Sequence, residues 1–185
     1  MDHFLDIKLT PDAELQGATL LNMVYTKLHK ALFDLHSTAL GVSFPEAGES
    51  VGLGLRLRLH GEAQALHRLD TAWLGKLAVY CVSSAVRPVP HTVNAYRTIS
   101  RKQLNMSPSK MKRLMARGTL APDALSRYKD KLYGQTLTEP FLALESASSG
   151  RHYKRHIQMG KLQSHPTAGP FDAFGLSKTA TIPWF

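Results

Sequence analysis

Over the first 94 residues the hydrophobic pattern switches repeatedly between the two-residue alternation of a strand and the 3.6-residue period of a helix, and the order of those switches leaves few folds open. His3 to Leu9 alternates as a strand. Thr10-Pro11-Asp12 then supplies a cap, a proline at the first helical position and acid in the first turn, so a long helix is expected next. At about 100° per residue, Leu21, Val24, Tyr25, Leu28, Leu32 and Leu35 fall within one arc, the stripe of a helix lying on a sheet. Leu40 to Phe44 and Leu53 to His60 read as two further strands, and Gly61 to Gly75 as a second helix with Leu66, Leu69, Trp73 and Leu74 inward. Val79 to Val86 closes the series as a fourth strand. The order βαββαβ is the ferredoxin-like arrangement, an antiparallel sheet with two helices on one face, which makes the chain α+β.

Arg87-Pro88-Val89-Pro90 favours an extended connector, and the expected domain boundary lies near residue 94. Charge divides at the same place. Residues 1–94 hold eight Lys or Arg against nine Asp or Glu, whereas residues 95–185 hold fifteen against five. A neutral scaffold joined to a basic half points to a polyanion, because each phosphate that the protein neutralises releases a condensed counterion. With 43% hydrophobic residues the chain can bury a core, its apolar runs are too short for a membrane span, and its opening lacks a secretion signal. A cytoplasmic protein with no membrane partner is expected. The single cysteine, Cys81, excludes an internal disulfide, and its neighbours Val79 and Val82 suggest an inert core thiol.

In the basic half, Tyr96 to Leu104 reads as extended. Ser107 to Gly118 follows as a helix with proline near its start and glycine after its end. Lys110, Arg113 and Arg117 share one face of it, and Arg97 to Lys131 carries ten basic residues against two acids, a density that isolated solvated charges explain poorly. A helical patch at Ala121 to Leu132 precedes three strand-like runs, Phe141 to Ser146, Gly150 to Ile157 and Phe171 to Ser177.

Several chemistries fall away. His152 and His156 have no third ligand and sit in an alternating run, so no metal is expected there. Gly175-Leu-Ser-Lys178-Thr179 has Ser177 where a phosphate loop needs glycine. Paired carboxylates able to hold magnesium are missing from the basic half, and no cofactor is implied. RNA cleavage needs none of these, because the 2′-hydroxyl can attack the adjacent phosphate once a base takes its proton. Histidine, with an ordinary pKa of about 6.5, suits that task. His29 is the best placed of nine, at the edge of the first helix's apolar arc, with His36 similarly placed.

Six segments carry a resemblance to a known family: Met1-Asp-His-Phe-Leu-Asp-Ile7, Lys27-Leu-His29, Gly41-Val-Ser-Phe-Pro45, Ser100-Arg-Lys-Gln103 with its basic helix, Ser146-Ala-Ser-Ser-Gly150, and Phe174-Gly-Leu-Ser-Lys178 through Pro183-Trp-Phe185. Together, in order and from end to end, they resemble the type I-F CRISPR endoribonuclease (Cas-six-f or Csy-four) family, which cuts precursor CRISPR RNA at repeat hairpins. The resemblance implies that His29 acts on the 2′-hydroxyl upstream of the cut and that Ser146 holds that nucleotide, leaving a 2′,3′-cyclic phosphate and a 5′-hydroxyl without metal. Ser148 joins this catalytic group, and Ser149 lies near the same phosphate. Arg101 and Gln103 would read a guanine and an adenine low in the stem, since Arg matches O6 and N7 of guanine and Gln matches N6 and N7 of adenine. Lys110, Lys112, Arg113 and Arg117 would lie along the stem groove, and Tyr153 would stack on the pair at its foot. The resemblance further implies that the protein stays on its product, joins the other subunits of a type I-F crRNA-guided surveillance complex, and is a monomer when free.

Two departures stand out. Phe174 replaces a tyrosine of the family pattern near His29, and Lys110 and Lys112 replace arginines, losing the forked contact to phosphate. An alternative reading is therefore an RNA-binding cap that holds the crRNA hairpin with little or no catalysis. A third is a DNA-binding regulator, which predicts tighter binding to duplex DNA than to hairpin RNA.

Overall fold

The computed structural model describes residues 1–48, 52–103, 108–118, 137–146 and 149–185. They fall into two compact units, Met1–Arg101 with Pro140–Phe185, and Lys102–Glu139. In the first, β1 (His3–Leu9), α1 (Gly17–Asp34), β2 (Gly41–Ser43), β3 (Arg56–Gly61), α2 (Ala63–Leu69), a 3-10 helix (Ala72–Tyr80) and β4 (Cys81–Ser83) follow the expected βαββαβ order. The strands pair antiparallel as β2-β3-β1-β4, and β5 (Arg87–Pro88) extends the pairing of β1. This is the ferredoxin-like topology, and the protein is α+β.

Leu21, Val24, Tyr25, Leu28 and Leu32 are all buried, as their angular positions predict. They meet Ile7, Leu9, Leu57 and Leu59 of the sheet. Each such side chain contributes about 1.5–3 kcal/mol relative to exposure, so this seam holds α1 in place. Leu35 departs from the pattern: the helix stops at Asp34 and Leu35 is exposed. The expected cap departs too. Asp12 Oδ1 accepts from the backbone N–H groups of Glu14 and Leu15, closing a local turn, and α1 begins later with Gln16 at its N-cap.

On the sheet's other face, directly opposed Asp6 and Arg58 form a two-point ion pair, Nε to Oδ1 at 2.7 Å and Nη2 to Oδ2 at 3.0 Å. The guanidinium also packs on the rings of Phe4 and Phe185 at 4.6 and 4.1 Å. Burial alone would raise the Asp6 carboxyl, but Arg58 with Arg56 outweighs it and holds the group below the usual carboxylate range. The expected fourth strand is mostly lost. Asp70 at φ 58° and Gly75 at φ 53° break the preceding helical run, leaving only Cys81–Ser83 paired at the sheet edge. Val79 and Val82 are consequently exposed, so Cys81 is only partly covered, although burial still pushes its thiol up.

The later strands build two small sheets. β6 (Tyr96–Arg97) pairs with β10 (Ile182–Pro183), and β7 (Ile99–Lys102), β9 (His152–Met159) and β8 (Phe141–Glu145) pair in the order β7-β9-β8. β8 packs against α1, where Asn22 Oδ1 accepts from the Ala143 backbone N–H at 3.0 Å. The expected strand Phe171 to Ser177 is instead a turn. Asp172 Oδ1 accepts from the N–H groups of Phe174 and Leu176, both at 2.9 Å, and Gly175 takes φ 69°. A side chain at Gly175 would strike Val42, whose N–H donates to the Gly175 carbonyl at 2.9 Å.

The second unit contains α3 (Pro108–Ala116), with Gly118 at φ 64° just beyond its end. Lys110, Lys112, Arg113 and Arg117 are exposed, and Lys102 Nζ lies 3.6 Å from Glu139 Oε1. Residues 121–132, expected as a helix, lie outside the described residues. Among the described residues no helix is long and apolar enough to cross a membrane.

Candidate active site

His29 sits where its place on the helix puts it, half-buried at the boundary of α1's apolar face. Its Nδ1 is 2.8 Å from the carbonyl oxygen of Ala173. A carbonyl only accepts, so Nδ1 carries the proton and Nε2 keeps the basic lone pair. The imidazole lies flat on the Phe174 ring, with centroids 3.5 Å apart and planes 10° from parallel. Tyr25, one helical turn before His29 and fully buried, donates its hydroxyl to the Phe174 carbonyl at 2.7 Å. Burial pushes the Tyr25 hydroxyl well up, partly offset by Arg155, so it remains a donor. Two residues of α1 thus fasten the 172–176 turn, and the turn in return orients the imidazole.

Arg155 completes the cluster. Its guanidinium lies 3.4 Å from the centroid of Phe174 and 5.9 Å from that of Tyr153. Arg101, half-buried on β7, is pushed down by burial first and by repulsion from Arg155 second, while Tyr153 and Asp172 act the other way. Beside it a cavity of about 350 Å³ is lined by Ser100, Arg101, Asp172, Ser177 and Lys178 among others. Ser177 Oγ accepts from the N–H groups of Thr179 and Ala180, so Gly175 to Thr179 forms a serine turn rather than a phosphate-wrapping loop.

The structure therefore gathers His29, Phe174, Tyr153 and Arg101 around one buried cation. Ser146 lies just after β8, where its carbonyl accepts from Gly150 N–H at 2.8 Å, and Ser149 is exposed in the same turn. Ser148 lies outside the described residues. Gln103, exposed just after β7, and Lys110, Lys112 and Arg113 of α3, with Arg117 just past its end, belong to the second unit. His36 leaves the helix altogether at φ 48° and is exposed. Arg155, Asp172 and the Ala173 carbonyl were not singled out by the sequence. A signal for Arg155 existed, since it shares strand parity with the inward Ile157.

Residues 4–185 match the family model described as CRISPR-associated protein (Cas_Csy4). The chain is 39% identical over 188 residues to the CRISPR-associated endonuclease Cas6/Csy4 of Escherichia coli (strain UTI89 / UPEC), covering 100% of both chains. It is 38% identical, again over 100% of both, to the protein of the same name from Pseudomonas aeruginosa (strain UCBPP-PA14). A more distant similarity is to Thermus thermophilus Cse3 bound to an RNA representing a pre-cleavage complex, at 14% identity and a TM-score of 0.42, covering 99% of this chain and 100% of that one. The chain is a member of the CRISPR-associated Cas_Csy4 family.

Proposed function

We propose that the protein is a metal-independent endoribonuclease that cuts precursor CRISPR RNA at its repeat hairpins. The observation that carries this reading is the His29 imidazole, anchored through Nδ1 so that Nε2 is the free base, in a chain whose full-length relatives are named CRISPR-associated endonucleases. Nε2 takes the proton of the 2′-hydroxyl before the cut, and the resulting oxygen bonds to the adjacent phosphorus. The bond from phosphorus to the 5′-oxygen breaks and that oxygen gains a proton from solvent, leaving a 2′,3′-cyclic phosphate and a 5′-hydroxyl. Ser146 holds the reacting nucleotide, with Ser148 and Ser149 beside the scissile phosphate.

Arg101 and Gln103 read bases low in the stem, Tyr153 stacks beneath it, and Lys110, Lys112, Arg113 and Arg117 neutralise phosphates along it. Residues 95–185 supply most of this RNA surface. The protein then keeps its crRNA hairpin and enters a type I-F surveillance complex with other subunits, being a cytoplasmic monomer until it does so.

One observation favours a second reading, an idle hairpin cap: the ring against His29 is Phe174, which offers no hydroxyl. A repeat RNA with 2′-deoxy at the nucleotide before the cut separates the two. The enzyme binds it without cutting and cuts the all-ribose RNA; a cap cuts neither.

A further inference from the structure

We infer that Arg155 is a positioning residue for His29, acting through the ring of Phe174. The inference rests on the reading of His29 as the catalytic base.

Arg155 stands opposite Leu142 in the β8–β9 pairing and is only 6% exposed. Among the described residues no carboxylate lies within ion-pair distance of it, and its Nε has no hydrogen-bond acceptor. Other charged or titratable groups do face the cluster: Arg101 from β7, Tyr25 from α1, Tyr153 from β9 and Asp172 from the turn. None of them neutralises the guanidinium by direct pairing. A buried cation without a counter-ion opposes folding, so its presence is not explained by stability.

Geometry supplies another explanation. The guanidinium carbon is 3.4 Å from the Phe174 centroid, and the His29 centroid is 3.5 Å from the same point with its plane nearly parallel. Two flat groups at that distance cannot share one face of a phenyl ring. They therefore cover opposite faces, and Phe174 is clamped between a guanidinium and an imidazole. Cation–π attraction holds one side of the ring, and stacking transmits its orientation to the other. With Nδ1 already tied to Ala173, the clamp fixes the remaining freedom of the imidazole and so the direction in which Nε2 points. Misplacing a catalytic group by an ångström can slow a reaction about a hundredfold, so such a clamp has a rate consequence.

The experiment compares wild type, Arg155→Met and His29→Ala, each as the full chain, on the cognate repeat hairpin RNA under single-turnover conditions. Arg155→Met should cleave at least about tenfold more slowly while binding the hairpin within about twofold of wild type. Its melting temperature should stay level or rise, because an unpaired buried cation has been replaced by a flexible, unbranched apolar side chain. The His29 imidazole proton signals should move in the NMR spectrum as the Phe174 ring loosens. Should Arg155→Met fail to fold, Arg155→Lys takes its place with the same expectations for cleavage rate and hairpin binding, since it keeps the charge but not the flat fork. An unchanged rate, or a rate loss matched by equal losses of binding and melting temperature, overturns the inference. The His29→Ala arm keeps the two claims apart: a fully active His29→Ala removes the catalytic base itself, whereas an inactive one beside a fully active Arg155→Met removes only the role of Arg155.

Discussion

Tyr25 and His29, one turn apart on α1, both hydrogen-bond to consecutive carbonyls of the same turn, Phe174 and Ala173, at 2.7 and 2.8 Å. The helix that builds the core of the ferredoxin-like sheet thereby also sets the imidazole. Structure and proposed chemistry meet in a few side chains, and each can be tested separately.

His29→Ala should abolish cleavage while leaving hairpin affinity nearly intact, since removing a general base lowers the rate by about 10² to 10⁴ without removing phosphate contacts. Single-turnover cleavage and filter binding on the same RNA check this. A parallel loss of affinity would make His29 a binding residue.

Tyr25→Phe removes the hydroxyl that satisfies the Phe174 carbonyl. The expected loss is about 0.5–1.5 kcal/mol of stability, or a few degrees in Tm. It should slow cleavage as well, because the turn carrying Ala173 and Phe174 loosens. A stability loss with an unchanged rate would show that the turn holds His29 without Tyr25.

His60 gives the fold a pH dependence. It is fully buried, with Nε2 and Ser43 Oγ sharing a hydrogen bond of 2.8 Å, and burial first and Arg58 second push its imidazole down to about 3. The unfolded chain therefore binds a proton through the window from about pH 6.5 to 3 that the folded chain does not, so stability falls as pH falls through it, by about 1.4 kcal/mol per unit at most. Asp6, held low by Arg58, adds a further loss only below its ordinary range near pH 4. Urea midpoints at pH 7 and pH 5 should separate more for wild type than for His60→Gln; equal separations would contradict the assignment.

Arg101→Ala should lose about 1 to 3 kcal/mol of binding and blur discrimination at one base pair, whereas Lys112→Ala should weaken all stems alike and flatten the salt dependence by about one phosphate. Titrations at several salt concentrations against matched and altered stems distinguish them. Uniform weakening by Arg101→Ala would make it a phosphate contact.

Much of this architecture was legible in periodicity. The α1 stripe, the β1 and β3 alternation and the place of His29 follow from angular position alone, because one helix face and one strand parity must be buried. What periodicity missed was local competition. Asp12 and Asp172 each spend a carboxylate on nearby backbone N–H groups, turning an expected cap and an expected strand into turns. Positive φ at Asp70 and Gly75 cut a helix and a strand short in the same way. Arg155 was passed over because a charged residue reads as exposed unless its strand parity is followed.

The most direct measurement incubates the purified chain with its cognate repeat RNA in excess EDTA and identifies the product ends. The account predicts one cut at the hairpin, with a 2′,3′-cyclic phosphate and a 5′-hydroxyl, and no cut when the preceding nucleotide is 2′-deoxy. Intact RNA under chelation, or cleavage of the 2′-deoxy substrate, would contradict it.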